Sequence, residues 1–153
     1  MTSTTSPDAR RRARELVLQG LYQRQLSGNA DEAIRQQLDE HRGDIVDVDY
    51  LAELWRGVTG DFDALVARVG PHSSRRVAEL SPVERAILAI GAWELVNRPD
   101  IPYRVIINES VELAKHYGGT DGHRFVNGVL DKVAADARAP EIAARAKGPR
   151  AER

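Results

Sequence analysis

The sequence contains no cysteine and only one methionine, and aromatic residues make up 5% of its 153 positions. The lack of cysteine excludes disulfide bonds, thiolate metal sites and cysteine nucleophiles. No apolar run approaches the roughly 20 residues that a membrane-spanning helix needs. No apolar segment follows the N-terminal arginines, as a secretory signal would require. We therefore expect a cytoplasmic protein that does not bind membranes.

Residues able to carry catalysis or bind a cofactor are also scarce. None of the four histidines has a second ligand at metal-binding spacing. Residues 118–122 are rich in glycine but lack the lysine and the spacing of a phosphate-binding loop. Glu94 interrupts an apolar helical stripe, where a carboxylate needs an internal partner more than a catalytic role. The sequence therefore predicts a protein that is not an enzyme and that has no metal or cofactor.

Apolar residues recur every three or four positions along most of the chain, which is the spacing of amphipathic helices. The pattern predicts an all-α protein of six to seven helices. One helix is expected from Ala30 to about Arg42, behind a capping box formed by Asn29 and Glu32. A long helix is expected over residues 51–69, bent near its two glycines.

The strongest helix start lies at residues 81–84. Ser81 is placed as the N-cap, proline follows at the first helical position, and Glu84 completes a capping box. The helix that follows is apolar over most of its circumference, which predicts a central buried helix. We divide the chain into a disordered tail (1–8), a helical domain (9–139) and a flexible C-terminal tail (140–153) that begins at a helix-stopping proline.

Basic side chains gather at two places, although the net charge is only -1. Guanidinium groups fork to phosphates and stack on bases, which suits single-stranded RNA. The first cluster consists of Arg10, Arg11, Arg12 and Arg14. The second lies around a glycine turn and consists of Lys115, Tyr117, Gly118, Arg124 and Phe125. The alternatives are that basic ends are merely solvated and that both rings belong to the core.

A second candidate surface lies on the first helix. The core stripe through Leu16 and Leu21 leaves Leu18 and Tyr22 on the other side. Two apolar side chains four residues apart on a wet face predict a partner surface. The alternative is that this helix is buried on both sides within the bundle.

Three separated segments carry distinctive motifs. They are ARRRARE at residues 9–15 with LYQ at 21–23, IPYRVIINESVELAK at 101–115, and RFVNGVLD at 124–131. Together with SPVERAIL at 81–88, and in this order, they resemble the NusB family of transcription antitermination proteins. The resemblance covers about residues 9–138 and is loose over 27–50. It departs at Gly20, where the family usually has alanine.

The resemblance implies two small helical bundles packed at an angle. It also implies binding of single-stranded boxA RNA together with the ribosomal protein NusE, and assembly with NusA and NusG on RNA polymerase in ribosomal RNA operons. The RNA contacts implied are the N-terminal arginines, Lys115, and the turn through Asp121, Arg124 and Phe125. The NusE contacts implied are Tyr22 and Glu84. A homodimer that hides the NusE surface is a further expectation.

Two other readings remain open at this stage. The same helical domain resembles the N-terminal RNA-targeting part of some ribosomal RNA cytosine methyltransferases. This sequence lacks the glycine fingerprint of a nucleotide-binding domain, which disfavours that reading. The other alternative is a helical protein-protein adaptor that never touches RNA.

Overall fold

The computed structural model describes residues 6–119 and 121–151. Segments with helical spacing of apolar residues form α-helices in it. Its eight α-helices are α1 (Pro7–Ser27), α2 (Asp31–His41), α3 (Val48–Gly60), α4 (Phe62–Val69), α5 (Pro82–Asn97), α6 (Tyr103–Tyr117), α7 (Gly122–Ala137) and α8 (Ala139–Ala151). Two short 3-10 helices, Gly70–His72 and Val77–Glu79, join α4 to α5. Within these described residues no strand occurs and no helix is long and apolar enough to cross a membrane. The all-α prediction is confirmed.

The ends of the first two helices differ from the predicted ones. The Ser6 hydroxyl accepts a hydrogen bond from the Ala9 N–H at 3.1 Å, so α1 begins inside the predicted disordered tail. Residues 1–5 lie outside the described residues. Helix α2 has no side-chain cap, and the predicted Asn29 capping box is wrong. The Asn29 N–H instead donates to the Ser27 hydroxyl at 3.1 Å, because the chain leaves α1 through a tight left-handed turn.

The predicted helix over residues 51–69 is two helices that meet at Asp61. There the backbone leaves the helical region, with φ −132° and ψ 20°. The bend predicted near Gly57 and Gly60 therefore falls directly after Gly60, whereas α3 continues through Gly57 without a break. A Cβ added at Gly57 would overlap the Trp93 indole of α5. This glycine therefore serves the close approach of two helices.

Helix α8 occupies most of the segment predicted to be a flexible tail. Pro140 lies in the first turn of α8, where its missing N–H removes no intrahelical hydrogen bond. The Glu141 carboxylate accepts the Tyr103 N–H of α6 at 3.0 Å, and Ile142 packs against the core. These two contacts hold the start of α8 against the rest of the protein. Because α8 is a helix and the predicted long helix breaks at Asp61, the described residues contain more helices than the predicted six to seven.

Helix α5 is the centre of the fold, as its apolar circumference predicted. It packs against α1, α3, α4, α6 and α7. The predicted capping box is confirmed, because Ser81 and Glu84 exchange backbone-to-side-chain hydrogen bonds at 3.1 and 3.2 Å. The buried side chains form one continuous cluster that passes through α5. An angle between two bundles stays a prediction.

A charged network lies inside this apolar core. Glu94 of α5 is fully buried and accepts hydrogen bonds from the Arg14 guanidinium at 3.0 and 2.8 Å. It also accepts the Tyr50 hydroxyl of α3. Burial raises the pKa of Tyr50, and the negative charge of Glu94 raises it further. The network therefore ties α1 and α3 to the central helix and supplies the internal partner expected for Glu94.

Substitutions at two glycines of α3 test the close packing of α3 against α5. We expect Gly57→Ala to lower the free energy of unfolding by about 1–3 kcal/mol, because the new methyl group overlaps Trp93. Gly60→Ala has open space around it and should raise stability by up to about 1 kcal/mol through helix propensity. Urea unfolding followed by circular dichroism measures both changes. Equal effects of the two substitutions would contradict the close approach of α3 and α5.

Candidate nucleic-acid interface

Arg14 was predicted to contact RNA, and the structure contradicts this. Its side chain is 4% exposed and lies against Glu94 in the core. Burial alone would lower the pKa of Arg14, but the charge and hydrogen bonds of Glu94 outweigh burial and raise it. Arg14 is therefore a structural cation, buried because the core carboxylate needs a counterion.

Arg11 lies on the surface but already has a carboxylate partner. Its Nε and Nη2 donate to the two oxygens of Glu109 on α6, at 3.0 and 2.8 Å. These hydrogen bonds raise the pKa of Arg11 above its usual value. The side chain is still 52% exposed. The pair fastens the outer face of α1 to α6 and leaves one side of the guanidinium open to solvent.

Arg10 and Arg12 are only partly exposed. The Arg12 guanidinium lies 3.7 Å from the Glu15 carboxylate and donates to a backbone carbonyl of the α2 end at 3.2 Å. The Arg10 guanidinium lies 5.0 Å from the centre of the Tyr50 ring and 3.7 Å from Asp47. Three of the four predicted arginines therefore reach the surface, each beside a carboxylate.

The glycine turn between α6 and α7 presents the second cluster. Gly118 ends α6, and a Cβ there would lie 2.7 Å from a backbone oxygen, which explains the glycine. Asp121 has a left-handed backbone with φ 63°. Lys115 and Arg124 are exposed, 3.5 and 4.0 Å from the carboxylates of Glu112 and Asp121. These cations, like those of α1, are paired.

Phe125 is neither fully buried in the core nor freely exposed, and its stacking on RNA stays a prediction. The ring is half-buried against the core, and the Arg75 guanidinium lies 4.0 Å from its centre. Arg75 therefore covers one face of the ring. No local pattern indicates Arg75, because it lies about fifty residues before Phe125, in an irregular segment without helical spacing.

The two predicted clusters adjoin one another. The Tyr117 hydroxyl, just before the turn, lies 3.4 Å from the Glu15 carboxylate of α1, which also contacts Arg12. The Arg11–Glu109 pair bridges the same two helices. We call this surface the α1–α6 track, and its members are Arg10, Arg11, Arg12, Lys115, Tyr117, Gly118, Asp121, Arg124 and Phe125.

An apolar groove lies beside the track. Its volume is about 310 Å³, and its lining consists of Leu18, Gln19, Tyr22, Val83 and Tyr117. Tyr22 is 43% exposed, whereas Leu18 is 2% exposed. Leu18 therefore fits the alternative that this face is buried within the bundle, whereas Tyr22 is exposed as a partner surface requires.

Glu84, the other residue implied as a partner contact, is 8% exposed. One carboxylate oxygen accepts the Ser81 N–H of the capping box, and the other accepts from Arg75 at 2.9 Å. Helix capping and an ion pair already use both oxygens of Glu84, so little of this side chain is available to a partner, and its contact with NusE stays a prediction. Since Arg75 also covers Phe125, these contacts connect the start of α5 to the α1–α6 track.

Comparisons with known proteins agree on one family. The NusB family model matches residues 11–135. The transcription antitermination protein NusB of Azoarcus sp. (strain BH72) is 53% identical over 142 residues, which cover 91% of this chain and 92% of that protein. NusB of Paraburkholderia phytofirmans is 51% identical over 140 residues, covering 91% and 97%.

Solved structures show the same fold. The structure of T. maritima NusB superposes with a TM-score of 0.70 at 30% identity, covering 81% of this chain and 89% of that one. A crystal structure of the antitermination factors NusB and NusE in complex with double-stranded RNA gives a TM-score of 0.77 at 22% identity. That likeness covers 86% of this chain and 99% of the matched one.

The free energy of unfolding should respond differently to loss of the buried Arg14 and of the exposed Arg11. We expect Arg14→Ala to lower the free energy of unfolding by about 3–5 kcal/mol, because it leaves the Glu94 charge buried and unpaired. Arg11→Ala removes a surface pair and should cost less than about 1 kcal/mol. Denaturant unfolding measures both.

The matched control removes the whole buried pair. Arg14→Met combined with Glu94→Leu leaves no unpaired charge and should recover part of the stability lost by Arg14→Ala. An Arg14→Ala protein as stable as Arg11→Ala would refute the structural role of Arg14.

Proposed function

The chain belongs to the NusB family of transcription antitermination proteins, and we propose that it binds single-stranded boxA-type RNA together with NusE. The observation that carries this proposal is the α1–α6 track. It brings arginines from the start of the chain beside an exposed tyrosine and a glycine turn more than one hundred residues later. Positive charge supplies attraction to phosphates, and flat side chains supply contacts to bases.

The pairing of cations with carboxylates explains how such a surface would behave. A phosphate that approaches Arg11 or Lys115 competes with Glu109 or Glu112 for the same hydrogen-bond donors. Part of the Coulomb attraction is therefore cancelled, and RNA binding by the isolated protein is expected to be modest. A second protein that adds contacts to the same RNA raises the affinity.

We propose that NusE binds in the apolar groove. Tyr22 offers an exposed ring there, and Tyr117 belongs both to the groove and to the α1–α6 track. A partner bound in the groove would therefore lie next to the RNA and contact it. Through NusE and RNA the protein joins NusA and NusG on RNA polymerase in the cytoplasm, in our proposal, and suppresses termination in ribosomal RNA operons.

The second candidate is a protein-protein adaptor without RNA contacts. The observation that favours it is that each of four cations has a carboxylate within 4 Å; they are Arg11, Arg12, Lys115 and Arg124. A surface whose charges are already balanced suits a protein partner as well as a polyanion. RNA binding decides between the two candidates.

The deciding experiment measures affinity for a boxA oligonucleotide over a series of salt concentrations, with and without NusE. With about four phosphate contacts on a single strand, the logarithm of the affinity should fall with the logarithm of salt at a slope near −3. NusE should tighten binding at every salt concentration. The absence of RNA binding in the presence of NusE would exclude the first candidate and leave the adaptor.

Two variants assign the two surfaces in the same assay. Tyr22→Asp places a charge in the apolar groove and should abolish only the gain that NusE gives. Phe125→Leu keeps an apolar side chain on the core but removes the stacking ring, and it should weaken RNA binding on the order of tenfold with or without NusE. Identical behaviour of the two variants would contradict separate surfaces.

A further inference from the structure

Two cations outside the α1–α6 track lie beside one aromatic ring. The guanidinium groups of Arg104 on α6 and Arg145 on α8 lie 5.6 and 6.0 Å from the centre of the Tyr103 ring. Both arginines are exposed. Among the described residues, no carboxylate oxygen comes within 4.0 Å of either guanidinium, so this pair differs from the exposed cations of the track, which are paired.

Arg104 is aligned with the track along α6. Residues 104, 108, 111 and 115 follow one another at spacings of four, three and four, so they share one stripe of the helix. Arg104, Asn108 and Lys115 are all exposed on it. From Lys115, a track residue, to Arg104 the stripe covers eleven residues, or roughly 16 Å.

Hydrogen bonds at the start of α8 fix this helix beside α6, and they thereby fix Arg145 near Tyr103. Arg138, just before α8, is buried and donates to the carbonyl oxygens of Leu95 and Ile101 at 2.7 and 2.9 Å. The Glu141 carboxylate accepts a hydrogen bond from the Tyr103 N–H. Burial alone would raise the pKa of Glu141, but this hydrogen bond and the nearby Arg138 lower it. Helix α8 begins after residue 135, where the family match ends. The Arg145 contact therefore belongs to a segment outside the shared family core.

The first turn of α6 has no acidic residue. Helix N-termini carry partial positive charge, which a nearby arginine increases. Asp100, just before α6, is paired with Arg98 at 2.8 Å, and Glu141 supplies a further negative charge against the three cations Arg104, Arg138 and Arg145. This end of α6 thus keeps an excess of positive charge, and a bound anion would be stabilised.

We propose that Arg104 and Arg145 bind phosphates of single-stranded RNA that continues past the segment held by the α1–α6 track. The proposal rests on the proposed RNA-binding function. A nucleic-acid strand fits better than an acidic peptide, because Arg104 continues a stripe of α6 that ends at Lys115 in the track and Arg145 lies beside Arg104 across the Tyr103 ring. The arginines act on the backbone phosphates, so this extension is indifferent to base sequence.

The test compares a boxA oligonucleotide with the same oligonucleotide extended on both sides by oligouridine, in the presence of NusE. The full chain should bind the extended RNA more tightly. The double variant Arg104→Ala with Arg145→Ala should lose that gain, about tenfold at low salt. Its salt slope on extended RNA should be shallower by about 1.4, the value for two phosphates on a single strand. Its affinity for the short RNA should not change.

The matched control is Arg56→Ala with Arg68→Ala, two exposed arginines on α3 and α4. It should behave like the unmodified chain with both RNAs. Arg104→Lys with Arg145→Lys keeps the charge and should keep most of the gain, which separates phosphate contact from any loss of folding. Equal losses in the two alanine double variants, or an extended RNA that binds no better than the short one, would overturn the inference. If the unmodified chain bound neither RNA, the proposed function itself would fail.

Discussion

The ion pair between Arg14 and Glu94 determines how the first helix sits in this protein. Both side chains are almost fully buried, and Tyr50 completes their hydrogen bonding. Taking two charges out of water is costly, and the cost is offset only when geometry is good and each group is satisfied. The rotation of α1 about its axis is therefore fixed. With Arg14 turned inward, Arg11 and Arg12 are turned outward, toward α6 and α2.

That rotation explains why distant parts of the chain meet at one surface. Arg11 reaches Glu109, and Glu15 reaches Tyr117, so the outer face of α1 lies along α6 up to the glycine turn. Because each exposed cation there has a carboxylate neighbour, the surface is not strongly basic. Selectivity in such a surface comes from shape, flat side chains and a protein partner more than from net charge.

Periodicity predicted the helical class, the central α5 and its capping box, because these depend on local spacing and short-range hydrogen bonds. It also showed that Glu94 needs an internal partner. It does not identify Arg14 as that partner, since the pair joins α1 to α5 across 80 residues of sequence and depends on how the two helices pack. The burial of Leu18 and Glu84 and the docking of α8 depend on contacts between distant segments, which no local pattern contains.

Chemical shifts of backbone amides test the central claim most directly, that one continuous surface formed by α1, α6 and the glycine turn receives RNA. In a titration of the isotope-labelled chain with boxA RNA, the largest changes should fall in the first half of α1, the end of α6 and the start of α7. Amides of α2 and α4 should change little. Largest changes in α2 or α4, or changes at the turn with none in α1, would contradict a single RNA surface.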